Sequence, residues 1–289
     1  MIMKQLSFLM VVIILSLFSC KKDNPPENNP TTPGTDEVTA ASENALATNM
    51  FDDVYKQVDN SSAVTKDSAE GIKSLAGLMS SCATITLPDS EFNLTVWPKH
   101  ITVDFGTTGC SGNDGRTRKG KILYTTTGWM RDSGTVVTVT TQNYYVDNYK
   151  VEGFKTITNN GRNSNNNLSY HVVVTNGKIT HPDGTYHTWA TDRTSEWTYG
   201  ETTWLNPWDD KFSTKGGANG ITTTEASYTI TIDNANPLIT QFGCRWIQQG
   251  ILTLVVTSHP AITIDYGNGA CDANAVATIN GTNYPFVMQ

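Results

Sequence analysis

Little in this chain invites a chemical reading, and the shortages are informative. Only 16% of the 289 residues are charged, and the balance is acidic, with 27 Asp and Glu against 20 Lys and Arg for a formal charge of −7. No basic stripe is present, which argues against nucleic acid as a partner. No Gly-x-Ser-x-Gly, His-Glu-x-x-His, phosphate loop or dinucleotide fingerprint occurs, so no catalytic residue is assigned. Cysteine is sparse at five, and none stands at a Cys-x-x-Cys spacing, which argues against a zinc cluster of the usual kind. The apolar run from Leu9 to Leu17 is too short to need a membrane-spanning role.

What that run does have is context. Lys4 gives a basic start, Leu9 to Leu17 an apolar core, and Leu17-Phe18-Ser19-Cys20 a cleavage site, an order that resembles the bacterial lipoprotein lipobox. Residues 1–19 are expected to be a signal peptide and the Cys20 thiol to carry the lipid, anchoring the protein in the outer membrane. An ordinary secretory peptide cut nearby, or a retained hydrophobic anchor, would share the first two features. Loss of Lys4 takes the formal charge from −7 to −8. Residues 20–35 are polar and rich in Pro and Asn, as in a tether that holds a domain off the lipid surface.

From Asp36 to about Gln57, Val38, Ala41, Ala45, Met50, Val54 and Val58 recur at helical spacing, and a weaker helix is expected over Ser68–Met79. The helical segment runs over 36–82 and a β domain over 83–289, where short Val, Ile and Tyr runs alternate with Thr, Asn and Gly. The fold class is all-β: antiparallel sheets forming a sandwich or a large open sheet, preceded by one or two helices. Asn176-Gly177, Pro182-Asp183-Gly184 and Asp147-Asn148 predict hairpin turns, and Asn159 to Asn167 a longer polar loop. In Thr185–Trp197 both alternating faces carry polar groups, which predicts an edge strand or a sheet solvated on one side.

Pro98–Gly106 (PKHITVDFG) and Pro260–Gly267 (PAITIDYG) share one string. Cys110 lies six residues after Asp104, as Cys271 does after Asp265, and Pro98 lies sixteen after Cys82, as Pro260 does after Cys244. This register predicts an internal two-fold repeat, with units near 82–127 and 244–287. Four cysteines permit three pairings. In an oxidising compartment the repeat selects Cys82–Cys110 and Cys244–Cys271, with four buried free thiols as the other reading.

Phe51-Asp52-Asp53-Val54, Val103-Asp104-Phe105-Gly106, Pro182-Asp183-Gly184, Trp208-Asp209-Asp210, Pro237-Leu238, Cys244-Arg245 and Ile264-Asp265-Tyr266-Gly267-Asn268-Gly269 together resemble a family of uncharacterised, Bacteroidota-type exported lipoproteins. The resemblance implies a β-rich exported lipoprotein and brings no activity or catalytic residue with it. Lys22-Asp23 is similar to the export signal that sends such lipoproteins to the cell surface, with Asn24 departing from the second acidic position.

Three constellations carry candidate chemistry. Trp189, Trp197, Trp204 and Trp208 form a tryptophan-dense stretch among Thr and Asn, suited to stacking on neutral polysaccharide or to closing one end of a sheet. Asp265, Asn268, Asp272 and Asn274 offer oxygen ligands for Ca²⁺, or simply hydrogen-bond their own turns; no other cofactor is expected. His181 and His187 flank a turn and form, with His171, Asp183 and Glu196 nearby in sequence, a weak metal pattern. Asp67-Ser68-Ala69 resembles a short acceptor for O-glycosylation at Ser68; Asp209 and Asp210 are a carboxylate pair, but glycoside hydrolysis needs two carboxylates facing each other across a cleft, which adjacency in sequence does not show. The resulting expectation is a lipid-anchored envelope protein of non-enzymatic structural or ligand-binding role, with membrane, polysaccharide or another envelope protein as partner. A glycan-binding surface module and an exported hydrolase are the alternatives.

Overall fold

The computed structural model describes residues 34–66, 82–91, 95–203 and 206–288. Cys20, Lys22-Asp23, the expected second helix with Ser68, and Trp204 lie outside the described residues. Among the described residues one α-helix, α1 (Thr35–Lys66), precedes fifteen strands. These are β1 (Thr84–Thr86), β2 (Lys99–Asp104), β3 (Cys110–Ser111), β4 (Thr117–Thr126), β5 (Val136–Val146), β6 (Tyr149–Arg162), β7 (Leu168–Thr180) and β8 (Tyr186–Tyr199). Then follow β9 (Lys211–Ile221), β10 (Ser227–Ile232), β11 (Leu238–Gln241), β12 (Gln249–Val256), β13 (Ile262–Asn268), β14 (Asn274–Ile279) and β15 (Thr282–Val287). All fifteen join one antiparallel sheet. Strands β10 and β11 lie end to end in one place, because β9 pairs β11 through its first residues and β10 through its last, and β12 does the same from the other side. No helix among the described residues is long and apolar enough to cross a membrane.

The sheet curls around α1. The helix packs on β2 and β4 near the start of the sheet, β8 and β9 in its middle, and β12 towards its end. Helix residues on every side are therefore buried: Ala40, Ala41, Leu46, Ala47, Met50, Val54 and Val58, but also Glu37, Glu43, Asn44, Asp53 and Ser61. A helix hidden all round is normally apolar all round. This one is not, and its polar groups need partners, because an unpaired one costs a few kcal/mol. The strands supply them. Asp53 accepts hydrogen bonds from Arg118 Nη2 and from Arg118 Nε (3.1 Å), and from the Tyr144 hydroxyl at 2.8 Å, with Arg116 at 3.6 Å. Asn44 Oδ1 accepts from the Trp189 indole at 3.1 Å, and the Ser61 and Tyr124 hydroxyls meet at 2.8 Å.

This arrangement explains why Thr185–Trp197 reads as polar on both faces. It is not an edge: β8 is central, paired to β7 and β9. Its inward positions His187, Trp189, Thr191 and Arg193 are buried against the helix, so the inner face is polar because the helix it serves is polar. A second departure concerns Asn176-Gly177, which is a bulge inside β7 and not a turn. Asn176 takes the positive φ of 53°, and a Cβ on Gly177 would stand 2.4 Å from the Trp189 carbonyl and 3.2 Å from the Phe51 ring. The bulge thus leaves room for the helix to approach the sheet. Pro182-Asp183-Gly184 does turn β7 into β8, and Asp147-Asn148, both at positive φ, forms the two-residue turn between β5 and β6.

Both disulfides, Cys82–Cys110 and Cys244–Cys271, are formed, with Cα separations of 5.7 and 5.8 Å. Asp104 accepts from the Gly106 amide and Asp265 from the Gly267 amide, each at 2.8 Å.

Burial would push the Asp53 carboxyl up, but Arg118, Arg116 and the Tyr144 hydroxyl hold it down at about 2. Its unfolded value is 3.8, so its contribution is present above that pH and is lost as pH falls through about 2. Asp53→Asn should lose about 1.5–3 kcal/mol of stability at neutral pH, since it removes the buried charge partner of Arg118, which keeps its ion pair with Asp114. Urea titration should also show a flatter acid limb between about pH 4 and pH 2 in the variant.

Candidate functional site

Along one side of α1 the fit to the sheet is incomplete. Thr48, Phe51, Asp52, Tyr55 and Lys56 follow at i, i+3, i+4, i+7 and i+8, the spacing that lines up one helical stripe, and this stripe forms one wall of a cleft. Alternate residues of β7 (Tyr170, Val172, Val174) and β8 (Trp189, Thr191, Arg193) form the facing wall, and Phe212 and Leu238 close it. The cleft holds about 810 Å³ of non-protein space, a figure that includes open solvent. Its aromatic surface is ordered by ring contacts. Phe51 stacks on Trp189 (5.3 Å, 19°), and Tyr55 meets Phe212 edge-on (5.8 Å, 82°).

Three cations and one carboxylate line this apolar space. Lys56 Nζ donates to the carbonyls of Phe242 (2.9 Å) and Cys244 (3.4 Å), and Lys155 Nζ to that of Phe51 (2.7 Å). Carbonyls satisfy hydrogen bonds without cancelling charge. Burial pulls both lysines down to about 8, for Lys56 with help from Arg116, while Asp52 opposes the shift in each. Arg193 is more exposed to the penalty. Its Nη1 donates to Thr48 Oγ1 at 3.2 Å and its guanidinium lies 5.1 Å from the Trp189 ring centre, but Nε and Nη2 are buried with no hydrogen-bond partner. Burial lowers its affinity for the proton, with Asp52 in partial opposition.

The tryptophan stretch does not present one exposed row. Trp189 and Trp197 are each 3% exposed, on the inner face of β8. Trp189 lines the cleft, while Trp197 stacks on Phe212 (5.8 Å, 28°) and donates its indole N–H to the Tyr199 carbonyl at 2.6 Å. Trp208 is half-buried and meets Phe242 edge-on. Sequence reasoning could not find Arg193, Lys155 and Lys56 as a group, because they come from β8, β6 and α1. The odd polar residues on both faces of β8 were the available signal.

Asp265, Asn268, Asp272 and Asn274 are all exposed, and Asp265 and Asp272 each accept a bond from the backbone amide two residues on, at 2.8 Å. Among the histidines, His171 pairs with Asp192 at 2.7 Å on the outer surface. His181 and His187 do meet, at 2.9 Å, and the acidic residue beside them is Glu43 of α1, not Asp183 or Glu196. Burial, with His181 adding to it, takes His187 down to about 3.

Of the carboxylate pair, Asp210 is 2% exposed and its Oδ1 has no partner. Burial first, then Asp59 and Asp209, push it up to about 7 against the pull of Arg131. Comparison with known proteins returned no matching family model, no similar curated protein and no similar solved structure.

The raised Asp210 value gives a signed prediction. A carboxyl titrating at about 7 when folded and 3.8 when unfolded contributes stability that is complete below pH 3.8 and is lost as pH rises through 7. Asp210→Asn should therefore gain on the wild type progressively from about pH 4 to pH 7 and hold that gain above. Denaturant midpoints across that range measure it; a difference that does not vary with pH would contradict the assignment.

Proposed function

We propose that this chain is a lipid-anchored cell-envelope protein of non-enzymatic role, whose β domain binds a small organic anion in the cleft between α1 and the sheet. The envelope assignment rests on the basic, apolar, lipobox order ending at Cys20, followed by the polar tether over 20–35. Two formed disulfides support an oxidising compartment. Outer-membrane attachment with outward display follows from Lys22-Asp23 in the same reading. The matched Asp–Gly turns and matched cysteine pairs support descent of the two units from one ancestral β element.

The observation that carries the ligand assignment is Arg193. Arg193, with two unpartnered donor nitrogens, lines an aromatic-walled cleft together with Lys56, Lys155 and one carboxylate, Asp52, and this net positive lining supports a carboxylate or another planar anion as ligand. Arg presents a fork that matches such groups, and Trp189, Phe51, Tyr55 and Phe212 would cover an apolar or ring-shaped body. An acidic saccharide answers both features. A neutral polysaccharide would offer Arg193 hydroxyl acceptors but no compensating charge.

Two experiments test this. Arg193→Met should bind the fluorescent anion 1-anilinonaphthalene-8-sulfonate, competed by uronate oligosaccharides, at least about tenfold more weakly than the wild type, as expected for a lost hydrogen bond to a charged group. The same variant should make the free protein about 1–3 kcal/mol more stable, because unsatisfied buried donors are removed. A destabilised variant that binds unchanged would make Arg193 a structural residue. For the anchor, a clickable palmitate analogue should label the wild type and not Cys20→Ser, and label on the variant would overturn the lipidation site.

A further inference from the structure

The cluster formed by Glu43, His181 and His187 stands apart from the cleft and is built from three separate places in the chain. Glu43 comes from α1, His181 from the turn after β7, and His187 from β8, directly opposite Ile179 of β7. We infer that these three residues form a binding site for a Zn²⁺-like transition-metal ion.

The geometry is close to what such an ion requires. One ligand atom from each residue lies within 4.8 Å of the others, with His181 Nε2 to His187 Nδ1 at 2.9 Å and His187 Nδ1 to Glu43 Oε2 at 4.0 Å. A tetrahedral ion with bonds of about 2.0–2.1 Å separates its ligand atoms by roughly 3.3 Å. The two distances bracket that value, so small side-chain rotations close the site. Two imidazole nitrogens and one carboxylate oxygen suit zinc and its neighbours and discriminate against Mg²⁺ and Ca²⁺, which prefer oxygen alone. Three protein ligands leave a fourth position for water.

The surroundings favour a site over a chance contact. Glu43 is oriented by Thr223, which donates from its hydroxyl at 2.6 Å to Oε1 and from its amide at 3.1 Å to Oε2, the outer hydrogen bonding expected of a metal-binding carboxylate. His187 is 0% exposed, and its Nε2 has no hydrogen-bond partner. Its Nδ1 is the atom turned to both His181 and Glu43, so the buried ring presents that nitrogen to the site. His181 is half-buried, which leaves an ion a way in. An ion held here would clasp the N-terminal half of α1 to the β7–β8 hairpin.

The test uses the full-length chain, freed of metal by chelation, and titrates it with Co²⁺ and then Zn²⁺. We expect one Co²⁺ per chain with the visible absorption of a tetrahedral site, displaced by Zn²⁺ and not by Mg²⁺ or Ca²⁺. Zn²⁺ should also raise the thermal midpoint. His181→Ala, at a half-buried position, should keep the wild-type circular dichroism and lose at least about tenfold in affinity, and Thr223→Val should lose about tenfold or more through the carboxylate it orients. Absence of saturable binding in the wild type, or undiminished affinity in a folded His181→Ala, would reduce the cluster to a histidine–histidine hydrogen bond and overturn the inference.

Discussion

The structure depends on one constraint: a largely polar helix is enclosed by a sheet. The buried polar groups of α1 look to strands and turns for partners, so the ion pair of Asp53 with Arg118 fixes more than local geometry. It sets the rotation of the helix, and Tyr144 from β5 and Arg116 before β4 complete the arrangement. Once Asp53 is fixed, the helical period brings Phe51 over the Gly153–Gly177 pair and against Trp189, and turns Thr48, Asp52 and Lys56 towards the cleft. Apolar burial supplies the bulk of the driving force, and the polar pairs choose the register.

The matching is incomplete in several places, Glu37 Oε2 and Asn49 Nδ2 on α1 among them, and the cleft is one of these places. Strand donors meet helix acceptors at Asn44, bonded by Trp189, and at the Phe51 carbonyl, bonded by Lys155. Arg193 makes one such bond and leaves two nitrogens without partners. Unsatisfied buried donors lower stability, and proteins keep such defects mainly where binding uses them. The Glu43–His181–His187 cluster is a second polar knot, contributed to by the same helix nearer its N-terminus.

Much of the fold could be read from the chain, and the reasons differ by feature. The helix from Asp36 was legible because Ala41, Ala45, Met50, Val54 and Val58 keep a 3.6-residue period, and each is buried; only Val38 faces outward, at 40% exposure. The disulfide pairs were legible because two copies of one spacing point to the same partners. Asn176-Gly177 misled because a positive φ serves a bulge as well as a turn, and only the Phe51 ring pressing on the sheet decides between them. Trp189 to Trp208 suggested exposed stacking faces because aromatic density says nothing about direction; the strand period sends Trp189 and Trp197 inward together. The cleft was hidden for a more basic reason, since its cations come from three elements far apart in sequence and no local pattern joins them.

The enclosure of α1 is the central claim, and native-state hydrogen exchange tests it most directly. Amides of residues 40–58 should exchange only through global unfolding, with the same free energy as the central strands β6 to β8, because the helix cannot open without parting the sheet. Fast, denaturant-independent exchange along that helix while the strands stay protected would mean that α1 lies on the surface of the sheet and not inside it.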